Sequence, residues 1–111
     1  MSPLRIWEMH SARLGGAIRT SPDGDAEVGG LLLSERAYLL AIRVMRPEEL
    51  VRLVAEAGPG EAAQRLVELF AATDLDGTGR RLALGRSRLG EPRLVRSDEA
   101  GPVGAPPGGA G

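Results

Sequence analysis

The sequence predicts an α+β, helix-rich fold in which two or three short helices precede a C-terminal β-hairpin and a disordered tail. Apolar residues recur at three- and four-residue spacing between residues 34 and 73, which is typical of helices. Two apolar and basic segments between residues 80 and 96 are separated by a Gly-containing turn, which favours a hairpin. Residues 98–111 are almost entirely Ala, Gly, Pro and acid, a composition that cannot form a packed core.

Length and composition indicate one domain. A chain of 111 residues has room for a single core, and a hydrophobic fraction of 42% is sufficient to build it. We therefore expect one small globular domain at residues 1–97 and a tail at residues 98–111. The aromatic residues are Trp7, Tyr38 and Phe70 alone, so the predicted core is small and mainly aliphatic.

The residue types that are missing exclude several kinds of chemistry. All 14 basic side chains are arginines, so mechanisms that need a lysine are excluded. There is no cysteine and only one histidine, which excludes disulfides and thiolate nucleophiles and argues against a zinc site. We expect no cofactor. No apolar run approaches the length of a membrane span and no secretory signal is visible, so we expect a soluble, cytoplasmic protein that does not contact a membrane.

The N-terminal third gives weak signals. Residues 4–9 alternate loosely between apolar and polar positions, which suggests a short strand. Residues 15–30 are rich in Gly, Ser, Pro and Asp and are predicted to be a flexible loop, or a hairpin tip if strands flank it. Within them, the sequence Ser21-Pro22-Asp23-Gly24 is typical of a type I turn.

The middle of the chain permits two interpretations between residues 31 and 45. The favoured one is a helix at 34–45 that is capped by Ser34 and ends before Pro47. In the other, Leu31–Leu33 and Tyr38–Val44 are two strands of a hairpin. Two further helices are predicted at 47–57 and 60–73, and the hairpin at about 80–96 follows them.

The turn Asp74-Leu75-Asp76-Gly77-Thr78-Gly79 is a candidate metal site through Asp74, Asp76 and Thr78. It resembles the first motif of haloacid-dehalogenase-type phosphatases, which implies magnesium-dependent phosphoryl transfer with one Asp as nucleophile and the next as acid/base. It also resembles an EF-hand loop, which implies calcium binding, although Gly85 stands where that loop has its bidentate Glu. The alternative is an Asp-Gly turn that ends a helix and leads into the hairpin.

The hairpin is the most basic part of the chain. Between residues 80 and 96 there are six arginines and one acid, Glu91, a local excess of five positive charges. The six are Arg80, Arg81, Arg86, Arg88, Arg93 and Arg96. Following two helices, this segment resembles the wing of a winged-helix domain, which implies contact with nucleic-acid phosphates. The alternative is a solvated arginine face that pairs with Glu48, Glu49, Glu56, Glu61 and Glu68.

These observations favour a small non-enzymatic domain for protein interaction or assembly. Its small aliphatic core suggests that apolar helix faces are completed by a protein partner or by a second copy of the chain. Nucleic-acid binding through the arginine-rich hairpin is the alternative. Phosphoryl chemistry or weak calcium binding at the Asp74–Gly79 turn ranks third.

Overall fold

The computed structural model describes residues 5–71 and 80–99, which form four helices and five strands, with one further helical turn at 97–99. In chain order the elements are α1 (Ile6–Arg13), β1 (Ile18–Thr20), β2 (Ala26–Val28), β3 (Leu31–Leu33), α2 (Glu35–Ala41), α3 (Pro47–Ala57), α4 (Pro59–Ala71), β4 (Leu82–Arg86) and β5 (Pro92–Arg96). The predicted α+β class is confirmed, but the predicted number of two or three helices is too low, because residues 6–13 and 97–99 are also helical.

The five strands form one mixed sheet in the order β1-β2-β3-β5-β4. Neighbours pair antiparallel except β3 and β5, which are parallel, with Leu33 opposite Leu94. The predicted hairpin at 80–96 is present as β4 and β5. The hairpin is not the simple C-terminal unit that the sequence predicts, because β5 also pairs with β3 and joins the hairpin to three earlier strands.

The helices pack on one face of this sheet. The strand register places Val28, Leu33, Leu82 and Leu94 on that face, because side chains alternate along each strand. They share one buried cluster with residues from all four helices, including Trp7, Tyr38, Leu50, Leu66 and Phe70. Burial of apolar surface in this cluster is the main force holding the helices to the sheet.

The opposite face of the sheet carries a different set of side chains. Leu32, Arg93 and Val95 alternate with the core residues and therefore point away from the helices. Leu32 and Val95 are nonetheless buried, and they lie outside the main cluster. The tip of the β1–β2 hairpin contributes to this cover, since Ser21, Pro22 and Asp23 line a shallow pocket together with Leu32.

The N-terminal predictions need correction. Residues 6–13 are helical, so the short strand predicted at 4–9 is wrong. Glu8 accepts a hydrogen bond of 2.7 Å from the backbone N–H of Arg5, which stabilises the first turn. Trp7 and Ser11, four residues apart, are both buried, which is the periodicity of a helix. The loose alternation of residues 4–9 resembles a strand pattern but does not reflect which residues are buried.

The predicted flexible loop at 15–30 contains β1 and β2, so its assignment as a loop is also wrong. Each strand has only three residues, too few for alternation to be visible in the sequence. The alternative of a hairpin tip is confirmed, because Gly24 N–H donates to the carbonyl of Ser21 at 2.9 Å. Gly29 and Gly30 then connect β2 to β3 with positive φ at both positions, which suits a two-residue hairpin turn.

Residues 31–45 contain one element from each interpretation. Leu31–Leu33 is a strand, and a helix follows it with Ser34 as the N-cap, whose Oγ accepts from the N–H of Ala37 at 3.1 Å. The helix ends at Ala41 rather than 45, and residues 42–45 continue as turns. Helix α3 has the predicted bounds, whereas α4 begins at Pro59 and residues 72 and 73 lie outside the described part.

The predicted tail begins too early. The prediction places Asp98 and Glu99 in the tail, yet both bind the body of the domain. Glu99 Oε2 accepts from Ser34 Oγ and from the N–H of Arg96, each at 2.7 Å. The disorder predicted for residues 100–111 concerns residues outside the described part.

Candidate functional site

The six arginines that the sequence singled out lie on β4, on β5, in the turn between them and just before β4. Two of them bind the β1–β2 hairpin tip: Arg93 donates twice to Asp25, at 2.8 and 3.1 Å, and Arg88 donates to Asp23 at 3.0 Å. Since β3 lies between β2 and β5, these contacts tie two hairpins together across it.

Asp98 forms ion pairs with two more of the six. Arg96 donates to both of its carboxylate oxygens at 2.7 and 2.8 Å, and Arg80 lies 3.3 Å from it. The hydrogen bond from Arg96 is the main reason that the pKa of Asp98 is held below its ordinary value. The one negative charge of Asp98 therefore offsets one of the two positive charges of Arg80 and Arg96.

Arg81 and Arg86 support the hairpin by other contacts. The backbone N–H of Arg81 donates to Ser97 Oγ at 2.9 Å, and Arg86 Nη1 donates to the carbonyl of Gly90 at 2.9 Å. In the ion pairs described for this group, the acids are Asp23, Asp25 and Asp98. They are not the helical glutamates that the sequence suggested, because those glutamates lie on α3 and α4.

A second basic surface was missed by the sequence reasoning. Arg36, Leu39, Leu40, Arg43 and Arg96 line an open groove of about 250 Å³, which we call the α2 groove. Four of these residues belong to α2 or to the turn that continues it. The α2 groove is the candidate functional site.

Local folding explains the exposure of the groove residues. Ser34 starts the helix, and Ala37, Tyr38 and Ala41 are buried against the core. Burial of that face turns Arg36, Leu39 and Arg43 toward solvent, and Leu39 is 40% exposed. Leu40 is nearly buried and forms the apolar floor.

The electrostatics of the groove differ from those of the hairpin. Arg36 and Arg43 make no described side-chain hydrogen bond or ion pair within residues 5–71 and 80–99. Between residues 36 and 46 the chain has three arginines and no acid. The groove also contains Arg96 of β5, whose side chain is 22% exposed and already binds the carboxylate of Asp98.

A signal for this site was present in the sequence. The run Arg-Ala-Tyr-Leu-Leu-Ala-Ile-Arg at 36–43 carries arginines seven residues apart, which places them on one side of a helix. The denser arginine run at 80–96 is the stronger basic signal in the sequence, and sequence alone does not show which charges the fold will pair.

The candidate metal residues Asp74, Asp76 and Thr78 lie outside the described residues. Among the residues that are described, no group of three or more His, Asp or Glu side chains is arranged to hold a metal ion. His10, the single histidine, has Nδ1 at 2.6 Å from the hydroxyl of Tyr38, a contact that links α1 to α2. None of the helices in the described ranges has the length and apolar character needed to cross a bilayer.

Comparisons with protein-family models, with curated proteins and with solved structures found no match to this chain.

Proposed function

We propose that this protein is a non-enzymatic interaction domain that binds an acidic, amphipathic segment of a partner protein in the α2 groove. One observation carries the proposal: Arg36 and Arg43 have no acidic partner among the described residues, and they line the same groove as the exposed Leu39. A surface of this kind combines charge attraction with an apolar contact.

The spacing of the two arginines defines the partner. Arg36 lies in the first turn of α2, and Arg43 follows seven residues later in the turn that continues the helix beyond Ala41. A partner helix with two carboxylates at the same spacing and an apolar side chain midway matches Arg36, Leu39 and Arg43 in order. Arginine binds carboxylates through two parallel hydrogen bonds, as Arg96 does with Asp98 in this chain.

The apolar component favours a protein over a nucleic acid as the partner. Leu39 offers its side chain at the surface, and Leu40 gives the groove an apolar floor. A phosphate backbone offers no matching apolar group. The arginines at 80–96, which the nucleic-acid alternative needs, are mostly engaged with aspartates, so less of their charge is available to phosphates.

The test uses a fluorescein-labelled helical peptide with two glutamates seven residues apart and a leucine midway. We expect binding by fluorescence anisotropy that Arg36→Glu and Arg43→Glu each weaken at least fivefold. Replacing the peptide leucine with serine should also weaken it, since the apolar contact is lost. Arg52→Glu is the matched control, because Arg52 is an exposed arginine on α3 outside the groove.

Two results would overturn the proposal. Equal weakening by Arg52→Glu would show that binding depends on overall charge rather than on the groove. Tighter, strongly salt-dependent binding of a random-sequence DNA duplex or single strand, lost in Arg86→Ala/Arg88→Ala, would instead support the nucleic-acid alternative.

A further inference from the structure

The strand β4 is an edge of the sheet, and its outward backbone groups follow from the pairing with β5. Ser87 N–H donates to the carbonyl of Glu91, and Ser97 N–H donates to that of Arg81. Pairs alternate between bonded and non-bonded along an antiparallel ladder, so Ala83 and Gly85 also bond to β5. Leu82, Leu84 and Arg86 therefore direct their N–H and C=O groups away from the sheet.

The other edge of the sheet is covered differently. Helix α1 packs beside β1, and the N–H of Ile18 donates to Ser11 Oγ at 3.3 Å. Trp7 Nε1 donates to Thr20 Oγ1 on the same strand at 2.9 Å. A helix therefore protects β1, whereas no element of the described ranges pairs with the outer side of β4.

The outer side of β4 is apolar at its centre and basic at its ends. Leu84 is 46% exposed, and Gly85 beside it has no side chain. From residue 80 to residue 88 the chain contains four arginines and no acid. Arg80 and Arg88 pair with aspartates, whereas the described side-chain hydrogen bond of Arg86 is to the carbonyl of Gly90. Arg86 therefore offers positive charge at this edge. On the helix-covered face, Leu84 and Arg86 also line an open groove of about 370 Å³ against Glu61 and Gln64 of α4.

We propose that β4 accepts an extended segment of another protein as a sixth strand, and that this segment is acidic. Backbone hydrogen bonds to Leu82, Leu84 and Arg86 would supply affinity, as in other cases of strand addition to a sheet edge. An apolar side chain opposite Leu84 and an acidic one opposite Arg86 would supply specificity. The groove between β4 and α4 would receive the side chain of the added strand that lies next to Arg86.

Charge argues against a second copy as the occupant. An antiparallel pair of β4 strands centred on Leu84 places Arg86 of each chain opposite Leu82 of the other. Because residues 80–88 contain no acid, a second copy offers no carboxylate to Arg86. An acidic strand supplies that carboxylate, and opposite charges directly across from each other stabilise a pair of strands. The site uses residues different from those of the α2 groove, so it goes beyond the function proposed above.

Amide hydrogen exchange followed by NMR tests the proposal on the whole chain. In the protein alone, we expect the amides of Leu84 and Arg86 to exchange at least tenfold faster than those of Ala83 and Gly85. The probe is a seven-residue peptide of alternating Val and Thr with Asp at both ends. Saturating probe should slow exchange at Leu84 and Arg86 at least tenfold and leave Ala83 and Gly85 slow.

A second probe isolates the role of the backbone. The same peptide, N-methylated at alternate residues so that one edge has no N–H donors, should give no protection when that edge faces β4. Leu84→Pro should also abolish the effect, because the N–H it removes is not used in pairing with β5. The matched variant Leu84→Thr retains the amide and should still bind the probe.

Three outcomes would overturn the proposal. Leu84 and Arg86 amides that are already slow in dilute protein would show that the chain itself covers this edge. Protection that grows with protein concentration and not with probe would assign the edge to self-association. Millimolar probe without any protection would show that the edge does not accept an acidic strand.

Discussion

Arg93 binds both carboxylate oxygens of Asp25, from Nε at 2.8 Å and from Nη2 at 3.1 Å. The Asp25 side chain is only 8% exposed, and that of Arg93 is 34% exposed. This hydrogen bond is the main reason that the pKa of Arg93 is raised above its ordinary value. The contact joins the β1–β2 hairpin to β5, two parts of the chain that are 68 residues apart.

Replacement of Arg93 by leucine should lower the free energy of unfolding by about 2 kcal/mol, because it leaves the Asp25 carboxylate buried without its charged donor. Arg88→Leu is the control. The Arg88–Asp23 pair is largely exposed, so its loss should change stability by about 0.5 kcal/mol or less. Urea denaturation measures both. Equal losses in the two variants would contradict the prediction.

Ser34 caps α2 and also donates to Glu99. Ser34→Ala should cost about 1 kcal/mol of stability, the typical value of a lost N-cap. Ser34→Asp separates the two contacts: it restores an acceptor for the Ala37 N–H and places a carboxylate against Glu99. We expect Ser34→Asp to retain the helix, as seen by NMR shifts of residues 35–41, while the Glu99 resonances move. Unchanged Glu99 resonances would refute the second contact.

The stability of the domain should fall as the pH rises from 10 to 12. Burial raises the pKa of Tyr38 from 10.0 to about 12. The folded state therefore keeps its proton where the unfolded state loses it, so the contribution is complete below pH 10 and disappears as the pH reaches 12. The loss should be about 2 kcal/mol. Urea midpoints across this range measure it, and Tyr38→Phe should remove the slope.

Gly29 faces α3 at close range. A Cβ at this position would lie 2.8 Å from Cγ1 of Val54, and its φ of 55° is one that other residues rarely adopt. Gly29→Ala should cost about 2 kcal/mol through the clash and the backbone strain together. Gly16→Ala, with positive φ and open space, should show the strain alone, about 1 kcal/mol. In a Val54→Ala background, which removes the clashing Cγ1, Gly29→Ala should cost no more than Gly16→Ala.

The sequence was sufficient for those elements whose limits are set by local chemistry. Ser34 marks the start of α2, and Pro47 followed by two glutamates marks the start of α3. Gly90 lies in the turn between β4 and β5, as predicted. Each of these signals acts within a few residues and needs no knowledge of the tertiary fold.

Elements that depend on distant partners were not predictable. Strands β1 and β2 have three residues each and become strands by pairing with their neighbours in the sheet. The parallel pairing of β3 with β5 joins residues about 60 apart, which no local pattern encodes. For the same reason, the sequence did not reveal that aspartates would occupy the arginines at 80–96 while Arg36 and Arg43 stayed exposed.

The position of β5 also affects the order in which this protein can fold. Of the strands in residues 5–71 and 80–99 it comes last in the sequence, yet it lies inside the sheet between β3 and β4. During synthesis on a ribosome, β3 therefore has one side unpaired until residues 92–96 have emerged. A chain stopped before Pro92 lacks the strand that joins β3 to β4, so one side of β3 and both sides of β4 stay unpaired. Such a product should be cut by cellular proteases much faster than the finished domain.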